Sequence, residues 1–529
     1  MAGGVTVGNR LLKPSLTDCF FLALVAWLFL FPPDGWSRLL DDGDAGWHIR
    51  TGQWILEHRT VPRTDLFSFS KPGEPWFAWE WGADVLFAAV HALGGLKGVV
   101  LLSGLLIAAF GAVLFRYTVW RGANGLLAVA VVMLAVGASS LHYLARPHLF
   151  TLVLVPVFVW IAEADRRNPS WRVWTLVPLM AVWTNLHGGF LAGIAILGLV
   201  AAGTALEAVW RGPEESGRRD FAPPLRYLAL TAACFAATFV NPYGWQLHAH
   251  IAEYLRSDWI KEAVDEFQSP SFRSENILQY EALLLAGLLA AGGQLTRRRA
   301  VEPLLLLFWA HQSLASVRHV TIYCALAAPL VAAEASWHWD RWAASAPRKS
   351  VGRILHAMGT DLRAACAHVS LWPAAAVAVL AALNAPLRWP ADFPESRFPV
   401  AAVSRNAEAI RQSRLLTTDQ WADYVIFRLW PEVRVFVDGR SDFYGRKLGQ
   451  EYVRLSQAGS GWQALMERHG FSAALVPPDW PLSEVLKRDP EWKLVDFSKK
   501  ALFFQKVEVA APVVAGMAGR DRGKIRGED

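Results

Sequence analysis

The chain has 529 residues, of which 53% are hydrophobic and only 19% charged, with a mean hydropathy of +0.25. A soluble domain carries about 25% charged residues. Here the apolar residues fall in long runs rather than periodic faces, which excludes an ordinary soluble enzyme, a disordered chain and a fibrous repeat. The net charge of +6 therefore reads as membrane topology, with no nucleic-acid partner, because basic excess in membrane proteins collects in cytoplasmic loops. The 26 Trp suit a chain with much membrane–water interface. Cys19, Cys234, Cys324 and Cys366 lie in or beside apolar segments and form no CxxC or Cys/His pattern, so they read as core thiols.

A spanning helix needs about 20 mainly apolar residues. In chain order the expected spans are Leu16–Phe31, Gly98–Leu114, Gly125–Ser140, His148–Ala164, Val173–Leu186, Gly189–Trp210, Tyr227–Val240, Ala282–Leu295, Leu304–Ser316, Val320–Ala335 and Leu371–Ala385. Several are short and need their flanks, or a thinned bilayer, to cross. The stretch Ala83–Leu93 ends at Gly94-Gly95 and suits an interfacial or re-entrant helix. The first span follows Arg10 and Lys13 and ends in Phe31-Pro32-Pro33-Asp34 without a small-x-small cleavage site, so it reads as an uncleaved anchor.

Charge sets the orientation. With Ala83–Leu93 not crossing, the inside loops collect Arg116, Arg121, Arg166, Arg167, Arg172, Arg211, Arg218, Arg219, Arg297, Arg298, Arg299, Arg341, Arg348, Lys349, Arg353 and Arg363. The short outside turns hold little beyond Lys97, Arg146 and Arg318. That is a positive-inside pattern. The expected architecture is a mainly α polytopic membrane protein of eleven spans over residues 1–386, N-terminus inside, with a large first outside loop at 34–82.

The polar motifs then gather outside. The first loop supplies Asp42, Asp44, His48 and Glu80; the later turns supply Arg146 and His148, Asn185 and His187, Asn241, and Arg318 with His319. Polar and ionisable groups at span ends that face one cavity mark a functional site by default. Outside turns also need Gly, Pro, Asn and His for purely structural reasons. The Asp42-x-Asp44 pair has three readings: it holds a divalent cation that in turn binds phosphate, one Asp accepts a proton from an attacking hydroxyl, or Asp44 caps the amphipathic stretch that follows. Arginine makes bidentate phosphate contacts, so Arg146, Arg318, His148, His187 and His319 are candidates to meet a phosphate. No HExxH, GxSxG, Walker or kinase-like set is present, so nucleotide-driven chemistry is not indicated.

From about Leu387 the composition turns soluble, and residues 387–509 read as an extracytoplasmic α/β domain. Strands are expected at Arg414–Thr418, Tyr424–Leu429, Val433–Asp438, Ala473–Pro477, Trp492–Asp496 and Ala501–Lys506, and helices at Ala401–Gln412, Leu448–Gln457 and Trp462–His469. The segment VFVDGRSDFY is its most distinctive, with Asp438, Arg440 and Asp442 as site candidates or as a turn network. The tail 510–529 is small and charged and reads as disordered.

The first-loop run DDGDAGWHIRTGQWILEHRTVPRTDLFSFSKPGEPWFAWEW, with the later ARPHLF, NLHGGF, NPYG and VDGRSDFYG stretches, resembles a group of large bacterial membrane proteins. That group is similar to the GT-C class of integral-membrane glycosyltransferases, which includes protein O-mannosyltransferases, the oligosaccharyltransferase catalytic subunit and the lipid A aminoarabinose transferase. The resemblance implies a bacterial inner-membrane enzyme with a periplasmic or extracellular C-terminal domain. Its donor would be a polyprenyl-phosphate-linked sugar, and Asp44 or Asp42 would be its catalytic acid residue. No WWDYG-like segment is present, so a peptide acceptor is not implied. The competing readings are a lipid or polysaccharide transporter, which would show ionisable residues at mid-span and paired repeats, and a non-catalytic envelope assembly protein.

Overall fold

The computed structural model describes residues 11–31, 35–212, 219–366, 370–383 and 388–507. The tail expected to be disordered lies outside them. The chain is mainly helical, and each of the eleven expected spans coincides with a helix. Among the described residues, five helices are long and apolar enough to cross a membrane: Trp81–Arg121, Gly125–His142, His148–Arg167, Phe190–Arg211 and Val317–Ser345. Leu16–Leu30 and Trp372–Ala382 are apolar but shorter. The shortfall is geometric. A helix such as Leu176–Leu186 rises only about 16 Å, against a hydrocarbon core of about 30 Å.

Trp81–Arg121 is interrupted at Gly94 and Gly95, the latter with φ +60°. A Cβ on Gly98 would lie 2.1 Å from the Val90 carbonyl, so the arm 81–93 turns back onto the start of the long helix. The stretch Ala83–Leu93 is thus a separate short arm, as its length and closing glycines implied. Its face carries the helix Asp44–His58, which packs between this arm and the helix Asp419–Leu429.

Four strands, β1 (Leu415–Thr417), β2 (Ala473–Val476), β3 (Trp492–Phe497) and β4 (Leu502–Lys506), form one sheet in the order β1-β2-β4-β3. β1 and β2 are parallel, and β4 runs antiparallel to both β2 and β3. Every residue of β1 and β2 is buried, as unbroken apolar runs in covered strands require. Helix Trp462–His469 matches its expectation.

Two expected strands are not strands. Tyr424–Leu429 is the end of the helix Asp419–Leu429, which Thr418 starts by accepting a hydrogen bond from the Trp421 N–H. Its residues are buried nearly all round, so the helical period that exposes a polar face is missing and the β-branched, aromatic run mimics a strand. Val433–Asp438 stays outside the sheet. Val435 instead makes a parallel bridge with Ser68: its N–H donates to Phe67 O, and its carbonyl accepts from Phe69 N–H, each at 2.9 Å. The expected helix Ala401–Gln412 divides at Asn406 into Val400–Arg405 and Ala407–Arg411, with the Asn406 amide donating to Asp496.

The first loop and the C-terminal segment are also joined by a buried ionic clamp. Arg440 Nη2 lies 2.8 Å from Asp65 Oδ1 and 2.6 Å from Asp438 Oδ2, and its guanidinium stacks on Phe67, Trp76 and Phe443. The Tyr444 hydroxyl donates to Asp438. Removing one partner of a buried pair strands the others, which costs about 3–5 kcal/mol. Arg440→Met is therefore expected to lower thermal stability in detergent by that order, whereas the exposed Arg488→Met leaves it unchanged.

Candidate functional site

Asp42 and Asp44 sit where a tight turn becomes the helix Asp44–His58, and the Asp44 N–H donates to Asp42 Oδ1 at 2.8 Å. The glycines between and after them are contact points. A Cβ on Gly43 would fall 2.4 Å from the Gln420 carbonyl, and one on Gly46 2.6 Å from that of Asp423. The DDGDAGW run is thus pressed against the helix Asp419–Leu429, and Asp44 is 4% exposed.

Arg146 is the hub. Its Nη2 lies 2.7 Å from Asp44 Oδ2, and its Nη1 lies 3.0 Å from Asp42 Oδ2 and 2.7 Å from Glu266 Oε1. The turn that carries it is pinned by the Ala145 N–H donating to Leu39 O. Arg318 reaches the same Glu266, with Nη2 at 3.3 Å from Oε2, and lies over the Phe267 ring. Two of the expected phosphate-binding arginines therefore converge, and one carboxylate already occupies both. A guanidinium also fills the place between Asp42 and Asp44 that a cation would take; among the described residues no cluster of three or more His, Cys, Asp or Glu has metal-ligand geometry.

A second row lies behind the first. His48 Nδ1 is 2.6 Å from Asp84 Oδ1, and its Nε2 is 3.8 Å from Glu80. His187 Nε2 is 3.5 Å from the other Glu80 oxygen, while its Nδ1 accepts from the Gly189 N–H. His148 bonds the His142 carbonyl and faces His187 with ring centres 6.4 Å apart. The remaining candidates have local tasks. Asn185 accepts from the Trp81 indole and donates to Val240 O, Asn241 closes the turn to Gly244, and His319 bonds the Gln312 carbonyl. Asp438 and Arg440 are engaged in the clamp, and Asp442 lies 3.2 Å from His250.

The electrostatics follow burial and pairing. Burial, against the pull of Arg146 and with help from Asp42 and Glu266, raises Asp44 to about 7. Burial likewise raises Glu80 to about 8 and holds His48 and His187 well below the usual histidine range, so both rings are neutral. Arg146, with Arg318, keeps Glu266 well below the ordinary carboxylate range. Although burial opposes its charge, Arg146 is held charged by Asp44, Glu266 and Asp42.

Sequence reading missed Glu266, Asp84 and Asp423. Glu266 lies on a one-turn helix, Asp265–Phe267, in an otherwise polar loop, and nothing local sets it apart. Asp84 looked like one polar residue on an apolar arm. Asp423 lay one residue before the run taken for a strand. It is fully buried, and a Cβ on Gly439 would lie 2.0 Å from Asp44 Oδ1 and 2.9 Å from Asp423 Oδ2. The VDGR glycine thus lets the C-terminal segment touch Asp44 itself.

No family model and no curated protein matches the sequence. Among solved structures, similar folds are found. The archaeal oligosaccharyltransferase AglB from Archaeoglobus fulgidus, solved with an inhibitory peptide and a dolichol-phosphate, matches over 94% of this chain and 75% of its own at TM-score 0.51 and 10% identity. ArnT from Cupriavidus metallidurans bound to undecaprenyl phosphate matches 95% of this chain and 99% of its own at TM-score 0.38 and 14% identity. The likeness to AglB, at 10% identity, speaks for the fold and not for the activity. Gly439→Ala tests the closeness of the packing at Asp44. Overpacking costs about 1–3 kcal/mol, and a matching fall in thermal stability is expected, larger than for Ala at the open Gly292.

Proposed function

We propose that this chain is a multi-pass membrane glycosyltransferase that uses a polyprenyl-phosphate-linked sugar donor. The observation that carries the reading is the convergence of Asp44, Arg146 and Arg318 at one end of the bundle, on a GT-C fold. AglB was solved with a dolichol-phosphate and ArnT with undecaprenyl phosphate, which supports a lipid phosphate as the leaving group. All eleven helices would cross, the Asp44 end would face outward, and residues 387–509 would stand as an outside domain over it.

In this reading an acceptor hydroxyl attacks the anomeric carbon. The new glycosidic C–O bond forms as the bond to the phosphate oxygen breaks, and the lipid phosphate departs with the electron pair. Asp44 takes the hydroxyl proton, and Asp42 holds the turn that aims it. Arg146 and Arg318 meet the phosphate charge once Glu266 yields them. His48, His187 and Glu80 orient the floor behind Asp44 as neutral or proton-sharing groups.

A positioned general base contributes about 100- to 10,000-fold. Asp44→Asn should lower transfer by that factor in proteoliposomes supplied with a polyprenyl-phosphate sugar, read as release of polyprenyl phosphate; full activity in this variant would sink the assignment. A base works only as the carboxylate, and Asp44 is raised to about 7. The kcat/KM should therefore rise about tenfold per pH unit below about 7 and level off above it.

Glu266→Gln removes the carboxylate that holds both arginines. Polyprenyl phosphate should bind that variant about tenfold tighter, and Arg318→Gln about tenfold weaker, as expected for charge-assisted hydrogen bonds. Equal affinities across the three proteins would remove Arg318 and Glu266 from the donor site.

A further inference from the structure

The opposite end of the bundle holds a second polar assembly. Helices His148–Arg167 and Phe190–Arg211 start beside the Asp44 site and end here. Twenty residues of helix rise about 30 Å, the thickness of a hydrocarbon core. A cavity of about 950 Å³ opens among the helix ends at this level. That is within the roughly 300–1,000 Å³ of small-molecule sites.

Its walls are ionic. Arg121 pairs with Glu163 at 3.3 Å and Glu302 at 3.2 Å, and Arg166 with Glu302 at 3.0 Å and Glu207 at 3.7 Å. Arg226 pairs with Asp165 at 2.9 Å and Arg297 with Glu334 at 2.7 Å. Basic residues placed for topology need only sit in loops. They do not need carboxylates such as Asp165 and Glu207, 2% and 6% exposed, buried beside them. Desolvated ion pairs gain little stability, and inside a membrane bundle they mark function by default.

Two acceptors complete the description. Glu302 Oε2 and Gln294 Oε1 belong to wall residues, are buried and have no hydrogen-bond partner among the described residues. Arg211 and Arg299 stand exposed at the rim, while Leu330, Ala333 and Trp337 form an apolar wall. A complementary ligand carries an anion for the arginines, a cation for the acidic wall of Glu163, Glu207, Glu302 and Glu334, and a short apolar part for the Leu330–Trp337 wall. A phosphodiester flanked by an ammonium and a glycerol ester has all three.

We propose that this cavity binds the phosphoethanolamine headgroup of a phospholipid from the leaflet opposite to Asp44. The site is independent of the transfer reaction and of any donor bound at Arg146.

The test uses the full chain in detergent, with thermal stability read as a function of added dihexanoyl phosphatidylethanolamine, glycerol 3-phosphate or inorganic phosphate. A ligand that binds the folded state alone raises the midpoint saturably. The phosphatidylethanolamine is expected to do so, with an affinity at least about tenfold weaker in Arg211→Gln/Arg299→Gln, as for lost hydrogen bonds to charged groups. The response should vanish in Ala333→Trp, which fills the cavity, and persist in Arg318→Gln, which alters only the Asp44 end. If Ala333→Trp fails to fold, the exposed double variant decides alone. An equal response to glycerol 3-phosphate or inorganic phosphate would overturn the lipid source and leave a soluble phosphate as ligand. No response to any probe, or a response unchanged in the variants, would overturn the site.

Discussion

The buried guanidinium of Arg146 is the constraint on which the Asp44 end of the molecule depends. Three carboxylates, on Asp42, Asp44 and Glu266, meet in a space that excludes most water. Without a cation they would repel one another and pay for desolvation. One arginine between two helices pairs with all three, and thereby ties the first loop, the turn before His148 and the polar loop around Glu266 into one body. The same neutralisation leaves Asp44 poised near neutral pH, because burial and Arg146 pull it in opposite directions.

The helical plan was legible because hydropathy in a membrane chain is a long-range average, tolerant of errors at single residues. All eleven apolar stretches coincide with helices. The Gly94-Gly95 break was equally readable, since two adjacent glycines leave little alternative. The errors came where burial on all sides removed the period. YVIF in the helix Asp419–Leu429 lost its polar face, and VRVFV found its partner at Ser68, more than 350 residues away. Asp44, Arg146 and Arg318 were legible as charges that gather at one end of the bundle. Glu266 and Asp423 were not, because their importance arises only when distant segments close over the first loop.

The two ends of the bundle solve different electrostatic problems. At the Asp44 end, Arg146 and Arg318 share acids drawn from the loops. At the other end, arginines and acids alternate around a cavity, so charge is balanced pair by pair while space is kept open. The C-terminal segment bears only on the first. Through Gly439 and the Arg440 clamp it sets the wall against which Asp44 stands. A change in that segment therefore reaches the Asp44 site by packing, by the Gly43 N–H to Gln420 hydrogen bond and by the charge of Asp423.

The double engagement of Glu266 has a consequence for selectivity among anions. A carboxylate tethered beside two arginines competes with every incoming ligand at the effective concentration of an intramolecular partner, of millimolar order or above. If Arg146 and Arg318 meet a phosphate as proposed, dilute phosphates and sulfates arriving from solution would be outcompeted by the protein's own side chain. A ligand confined to the bilayer is concentrated in two dimensions and arrives already oriented. On the proposed reading, the tether would convert a generic anion site into one that answers to membrane-delivered charge.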